Sequence, residues 1–409
     1  MDKSTLRIAW RNLGRSRKRT ALALLAIAVG QFALLATQGL MRGYVDNIQR
    51  AITGPMIGHV QIHAPEWREE RALELVIPKA EEKLLAIRAL PAVASASARI
   101  YAPMLLAPRE AAFTAMLLGV DVKEESRPYG LLSGLKRPLE PGHVLLGRRL
   151  ARQIEARPGQ TIALVGQAAD GSIANDLFAV EGVVSSPADL VNQSGILLSL
   201  PDAQKLLVMP GEAHEIVVRG RNVEELGRVL AELKSLPPLR SLEILPWREL
   251  VPELVLIIDT SHYVGYFVLV LVFLAAVTGI ANTLMMATFE RMHEFGMLLA
   301  LGCRPARLVR MIMTESVLLG ILGVVAGTAL GGLFVFVTAR TGIDMASWGG
   351  PDVKDLAYGG LNLPLQVSPR LEPTDPFLGL AAVLFTSLVA ALWPASIAAR
   401  LEPMEAMRA

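Results

Sequence analysis

Four long stretches without a charged side chain, at 21–41, 260–289, 316–339 and 377–399, interrupt a chain that elsewhere carries charge every few residues. Each reaches or exceeds the roughly 20 apolar residues that cover about 30 Å of hydrocarbon as a helix. The pattern therefore predicts four spanning helices. The second stretch is the longest, and a helix over 260–289 would measure about 45 Å, so its end is expected to project as a stalk.

Between the first two stretches the pattern changes to short alternations. Gly58-His59-Val60-Gln61-Ile62-His63 alternates like a strand, 79–90 carries the apolar spacing of an amphipathic helix ending before Pro91, and 111–120 again reads as a strand. The same order returns at 215–218 (strand), 223–236 (helix) and 242–245 (strand). Two β-α-β units thus bracket the segment, and their symmetric placement suggests that they pair. Between them, 143–147, 161–165 and 177–184 read as short strands joined by glycine-containing turns, a β-rich insert. The predicted fold class is a polytopic α-helical membrane protein with four transmembrane helices and a large α+β extracytoplasmic domain of paired β-α-β units plus that insert.

Orientation follows from the basic residues, which cytoplasmic flanks retain. Lys3, Arg7, Arg11, Arg15, Arg17, Lys18 and Arg19 precede the first stretch against one acid, Asp2. The connector after the second adds Arg291, Arg304, Arg307 and Arg310, and the tail adds Arg400 and Arg408. The loop 340–375 instead holds three basic residues and five acids. Tyr44, Tyr263, Tyr266 and Trp393 lie near stretch ends, where interfacial aromatics belong. The expected division is a cytoplasmic amphipathic helix 1–20, spans at 21–41, 260–289, 316–339 and 377–399, an extracytoplasmic domain 42–259, a cytoplasmic connector 290–315, an outer loop 340–376 and a cytoplasmic tail 400–409. The glycine- and proline-rich part of that loop, 348–369, is long for a bare turn and carries no motif that assigns it a role. Ala26-Ile27-Ala28 offers a nominal signal-peptide cleavage site, but the apolar run continues well past it, which favours a retained helix.

Composition agrees, with 52% hydrophobic residues, and a net charge of +2 with its basic residues explained by topology argues against a nucleic-acid partner. Cys303 is the single cysteine, which excludes an intrachain disulfide. No G-x-x-x-x-G-K-[ST] loop is present to cradle nucleotide phosphates, nor a G-x-S-x-G elbow, nor H-E-x-x-H. Ser133-Gly134-Leu135-Lys136 matches S-x-x-K, a pattern that recurs by chance. His59 and His63 would share a strand face, but two ligands do not make a metal site. No catalytic residue, cofactor or metal is expected on this chain.

In the third stretch Gly323, Gly327 and Gly331 recur every four residues, with Gly320 nearby, a small-residue ridge that lets helix backbones approach closely in lipid. Gln31 and Gln38 share a face of the first stretch, and Thr278 and Asn282 a face of the second. Polar groups at such depth are expected to bond between helices or to line a lateral cavity.

The most specific stretch is the connector, Glu290-Arg291-Met292-His293-Glu294-Phe295-Gly296-Met297-Leu298-Leu299-Ala300-Leu301-Gly302-Cys303-Arg304. It resembles the E-R-x-x-E-x-G-x-L-x-A-L-G signature of the superfamily of macrolide-exporter (MacB), lipoprotein-release (LolC/LolE) and FtsX permeases. Ala9-Trp10-Arg11-Asn12-Leu13 followed by Arg17-Lys18-Arg19-Thr20 is similar to that superfamily's N-terminal helix, and Leu401-Glu402-Pro403-Met404-Glu405-Ala406-Met407-Arg408 to its P-x-E-A-L-R tail. The segment 54–62 looks most like the G-H-V-x-I region of lipoprotein-release permeases.

The resemblance implies an inner-membrane permease subunit of an ABC transporter, with a separate ATPase chain in two copies that holds ATP and Mg, and a second permease copy, identical or homologous. It implies that the connector docks on that ATPase through Glu290, Arg291, Glu294, Phe295, Gly296, Leu298, Leu301, Gly302 and Arg304. The work done there would reach a periplasmic domain mechanically. The expected substrate is a lipoprotein passed to a periplasmic carrier; the alternatives are MacB-like efflux with a membrane-fusion protein, and FtsX-like control of a cell-wall hydrolase.

Overall fold

The computed structural model describes residues 3–15, 17–108, 111–128, 130–133, 135, 139–186, 189–221, 226–344, 357–358, 361–362 and 366–400. The tail motif at 401–408, most of the loop 348–369, two residues of Ser133-Gly134-Leu135-Lys136 and the start of the helix expected at 223–236 lie outside them. The chain divides into a helical unit, 1–46 with 257–345 and 366–409, and a sheet unit, 47–256 with 346–365.

Among the described residues of the chain, four helices are long and apolar enough to cross a membrane. The first is Arg17–Ile52, the second Pro252–Glu290, the third Pro305–Thr341 and the fourth Thr374–Ala399. An uninterrupted helix satisfies every internal backbone group within its own segment, which lipid demands. Each contains the uncharged stretch read from sequence and runs beyond it. The first two, of 36 and 39 residues, would be about 54 and 58 Å long. The third starts with Pro305 in its first turn after an extended Arg304 and stops at Gly342 (φ +68°), both ordinary boundary chemistry. Large side chains such as Val325, Leu333, Phe336, Phe377, Phe385 and Leu392 point outward, as lipid-facing positions do.

The sheet unit is built on nine strands: β1 (Val60–His63), β2 (Val93–Ala107), β3 (Phe113–Val120), β4 (His143–Gly147), β5 (Thr161–Gln167), β6 (Ile173–Val184), β7 (Gly195–Ser199), β8 (Glu215–Gly220) and β9 (Glu243–Pro246). β9, β1, β8 and β2 lie side by side and antiparallel, and the helices Ala80–Arg88 and Leu226–Ser235 complete two interleaved β-α-β units, a ferredoxin-like split arrangement. The paired units inferred from sequence are therefore present.

The insert closes on itself. β2 pairs with β3, β3 with β7, β7 with β4, β4 with β6, β6 with β5, and β5 again with β2. Such a ring leaves no free strand edge. β2 belongs to both halves, since Val93–Arg99 runs along β8 and Met104–Ala107 along β5 on the same edge. One element differs from the sequence reading. The strand expected at 111–120 is β3, and the partner that completes the first β-α-β unit is β2. Ala94-Ser95-Ala96-Ser97-Ala98 and Pro103 give β2 little of the β-branched character that marks a strand. β7 was also not legible, because all five of its residues are buried and nothing alternates.

Candidate functional site

The connector folds as a short helix, Met292–Ala300, closed by a left-handed Gly302 (φ +87°). Cys303 N–H donates to Leu298 O at 2.9 Å and Gly302 N–H to Leu299 O at 3.0 Å, the paired bonds of a Schellman stop. This stop leaves Leu301 86% exposed, the most exposed large apolar side chain of the described chain. Leu298, Leu301, Cys303, Arg307, Leu308 and Ile8 line a groove of about 400 Å³ beside it. Arg304 and Arg307 are exposed around the groove.

The inward face is different. Phe295 is 1% exposed and Gly296 is buried, and Phe295 joins Leu13, Leu284 and Leu308 in the core of the helical unit. The Arg291 guanidinium sits 5.2 Å from the Phe295 ring centroid and 3.3 Å from the Glu315 carboxylate. Phe295 thus fixes the connector onto the bundle, whereas Leu301, Met297 and Leu298 are exposed. Two further ion pairs tie in the N-terminal segment: Arg15 to Glu294 and Arg19 to Glu290, each at 2.5 Å. The hydrogen bond from Arg15 lowers the carboxylate pKa of Glu294 against a small opposing effect of burial.

Within the bundle, Gly323, Gly327 and Gly331 face the first spanning helix. A Cβ on each would fall 2.5 Å from Ile27, 2.5 Å from the Ala28 carbonyl oxygen and 3.0 Å from Leu35. Gly320 faces Ser387 of the fourth helix instead. Gln31, fully buried, donates to Thr328 Oγ1 at 3.2 Å, and Gln38 lies against Gly265 of the second helix. Thr278 is turned to its own helix, donating to Leu274 O at 2.8 Å, which differs from an interhelical bond. Asn282 lines a groove with Arg19, Leu22, Ala26 and Met286 between the first two spanning helices. At the other end of the first helix, Arg42 pairs with the nearly buried Asp375 at 2.5 Å. Gly43 lets 368–369 pass so closely that a Cβ would fall 2.2 Å from Ser368 O.

The sheet unit holds a buried polar network that the sequence reading did not find. Arg99, 0% exposed on β2, donates to Glu125 Oε1 through Nε at 3.0 Å and Nη2 at 2.8 Å. Arg219 on β8 donates to Glu125 Oε2 at 2.9 Å, and Leu131 N–H donates to the same oxygen at 2.8 Å. Burial works to raise the Glu125 pKa, but Arg99 and then Arg219 outweigh it and hold it at about 2. Glu215, which accepts from Tyr101 Oη at 3.1 Å, is shifted upward because burial dominates over Arg99.

Beside this network Trp67 stacks with both His63 and His214, with ring centroids 5.6 and 5.7 Å away, and Arg71 lies 4.3 Å over it. Burial, reinforced by Arg68 and Arg71, lowers His63 to about 4. His59 and His214 are lowered chiefly by burial as well. The histidines at 59 and 63 are held apart in role, since His59 Nδ1 accepts from Gly220 N–H at 2.8 Å while His63 stacks on Trp67. Among the described residues no cluster of three metal-ligating side chains occurs.

Residues 20–236, just over half of the chain, match the MacB-like periplasmic core domain, and residues 266–403 match the FtsX-like permease C-terminal domain. This chain belongs to the MacB-like and FtsX-like family of ABC transporter permeases. The lipoprotein-releasing system transmembrane protein LolC of Xylella fastidiosa is 23% identical to the permease over 417 residues, 94% of this chain and 92% of the relative. The corresponding LolE of Haemophilus influenzae is 23% identical over 98% of each chain. The macrolide export ATP-binding/permease protein MacB of Hyphomonas neptunium is 29% identical over 129 residues, 32% of this permease and 16% of that protein.

The connector was legible because its glycine stop and charge spacing are local. The Arg99, Glu125 and Arg219 network was not, because Glu125, on the short helix 122–125 after β3, meets Arg99 and Arg219 only once β2 and β8 pair. The one available signal was an arginine inside each apolar strand run, Ala98-Arg99-Ile100 and Val218-Arg219-Gly220.

Proposed function

We propose that the permease couples ATP hydrolysis on a separate cytoplasmic ATPase to movement of its extracytoplasmic domain, and that this movement releases lipoproteins from the inner membrane. The observation that carries the lipoprotein reading is end-to-end coverage: LolC and LolE relatives span 92% and 98% of their own lengths, whereas the MacB relative matches over 16% of its length. Nothing in the sequence could hold nucleotide phosphates by a glycine-rich loop, so ATP and Mg belong on the partner.

The connector is the docking element. Leu301 supplies an exposed apolar anchor, and Arg304 and Arg307 beside it suit a partner surface with a hydrophobic pocket and a carboxylate rim. The N-terminal segment takes part, because Arg15 and Arg19 brace Glu294 and Glu290. The basic flanks support a reading with this surface and both termini in the cytoplasm of a bacterium and the sheet unit in the periplasm. Two ATPase copies and a second permease copy, identical or homologous, complete the complex. The groove at Asn282 between the first two spanning helices offers a lateral entry for acyl chains.

The test is reconstitution of the full chain with its ATPase in vesicles containing a triacylated protein. ATP-dependent transfer of that protein to an acceptor supports the reading. Expulsion of a soluble peptide without such transfer replaces it with efflux, and ATP-dependent activation of a cell-wall hydrolase without either replaces it with regulation.

A further inference from the structure

The first spanning helix does not pass into the sheet unit through a loose linker. Its end at Ile52 continues as a π-helical turn, Thr53–Ile57, and the carbonyls at a helix C-terminus have no partner of their own. Here three of them meet guanidinium donors from the sheet. Arg219 Nε donates to Gly54 O at 2.6 Å, Arg99 Nη2 to Pro55 O at 2.6 Å, and Arg99 Nη1 to Met56 O at 2.5 Å. Both arginines bond Glu125 at the same time, Arg99 through Nε and Nη2 and Arg219 through Nη2 alone, which keeps two cations side by side in a buried place. The next residue but one, Gly58, turns the chain into β1 at φ +71°, where a Cβ would fall 2.5 Å from Val217.

Stability alone does not call for this arrangement. Apolar side chains of similar volume commonly replace a buried ion triad with no loss of stability. What an apolar core cannot do is grip backbone carbonyls, and cations at a helix C-terminus also complement its dipole. The gripping residues are on two neighbouring strands, β8 inside the ferredoxin-like half and β2 at its junction with the insert, so a pull on the helix end loads the sheet rather than a loop.

We infer that Arg99, Glu125 and Arg219 form the joint through which the first spanning helix moves the extracytoplasmic domain, with the two arginines as positioning residues that hold residues 54–56 on the sheet. The mechanical role rests on the transmission reading above; the joint itself rests on its geometry.

Hydrogen exchange on the full-length permease in nanodiscs tests the joint without any partner. The apolar variant Arg99→Met/Glu125→Leu/Arg219→Met is expected to exchange at least tenfold faster than wild type in peptides covering 47–58, with β4–β6 protection retained. Arg99→Lys, which keeps the charge but loses the fork, is expected to fall between the two. Unchanged exchange at 47–58, or faster exchange spread evenly over the domain, overturns the joint. In the complex with its ATPase, ATP is expected to alter exchange in the wild-type domain and not in the apolar variant, while hydrolysis continues in both. If ATP alters the domain equally in both, the joint is overturned; if it alters neither although 47–58 loosens in the variant, the transmission reading fails and the joint stands.

Discussion

Gly327 and Ala28 bring the third and first spanning helices into backbone contact: a Cβ on Gly327 would lie 2.5 Å from the Ala28 carbonyl oxygen and 2.6 Å from Gln31 Cβ. Backbone cannot yield as a flexible side chain tip can, so Gly327→Val must push the helices apart. Overpacking of this kind costs about 1–3 kcal/mol. Thermal unfolding in detergent is expected to show a clear loss for Gly327→Val and almost none for Gly332→Ala, whose new methyl meets nothing within 4 Å.

Substitutions at Leu301 and Phe295 are expected to separate binding from folding. Leu301→Glu puts a charge on a largely exposed position and is expected to leave the melting curve unchanged while weakening ATPase association at least tenfold, about 1.4 kcal/mol. Phe295→Ala removes a buried ring and is expected to cost about 3–5 kcal/mol of stability. Co-purification of the ATPase with each variant, read beside its melting curve, checks both.

This division also shows how far sequence could go. The signature at 290–304 marked the connector as one element, and its local spacing gave the helix and its stop. It could not tell which face of that helix would be covered, because Phe295 is buried in a core shared with Leu13, Leu284 and Leu308, residues from three other segments. The glycine ridge was visible as a four-residue period, yet its partner, the Ile27 to Leu35 face, was not. In the sheet unit the alternating strands were legible, while β2 and β7, buried on both faces or rich in alanine and serine, were not.

Gly302→Val tests the connector's stop. Its φ of +87° lies where a β-branched residue is strained, and a left-handed backbone costs a non-glycine residue about 1–2 kcal/mol. The helix is expected to end differently and to redirect Leu301, so that ATPase association weakens although Leu301 itself is intact. Gly302→Asn, which tolerates that conformation better, is expected to restore part of the association.

Acid should loosen the extracytoplasmic domain in two steps. His63, lowered from 6.5 to about 4, binds its proton more readily in the unfolded chain; its contribution is complete above about 6.5 and is lost as pH falls toward 4. That step is worth up to about 3 kcal/mol. Glu125, lowered from 4.5 to about 2, contributes fully above 4.5, and that contribution is lost as pH falls through 2. Denaturant unfolding between pH 7 and 4 is expected to lose less stability in His63→Phe, which keeps the stack on Trp67, than in wild type. An identical slope would remove His63 from the account.

Because β2 is a rung in both ladders, its 15 residues make a beam of about 50 Å common to the two halves of the domain. Arg99 sits on that beam where it passes from β8 toward β5, opposite Glu215 on one edge and Val120 on the other. The closed ring of strands and the ferredoxin-like half thus share one continuous strand, the same strand whose Arg99 clasps the helix end, with no linker between them.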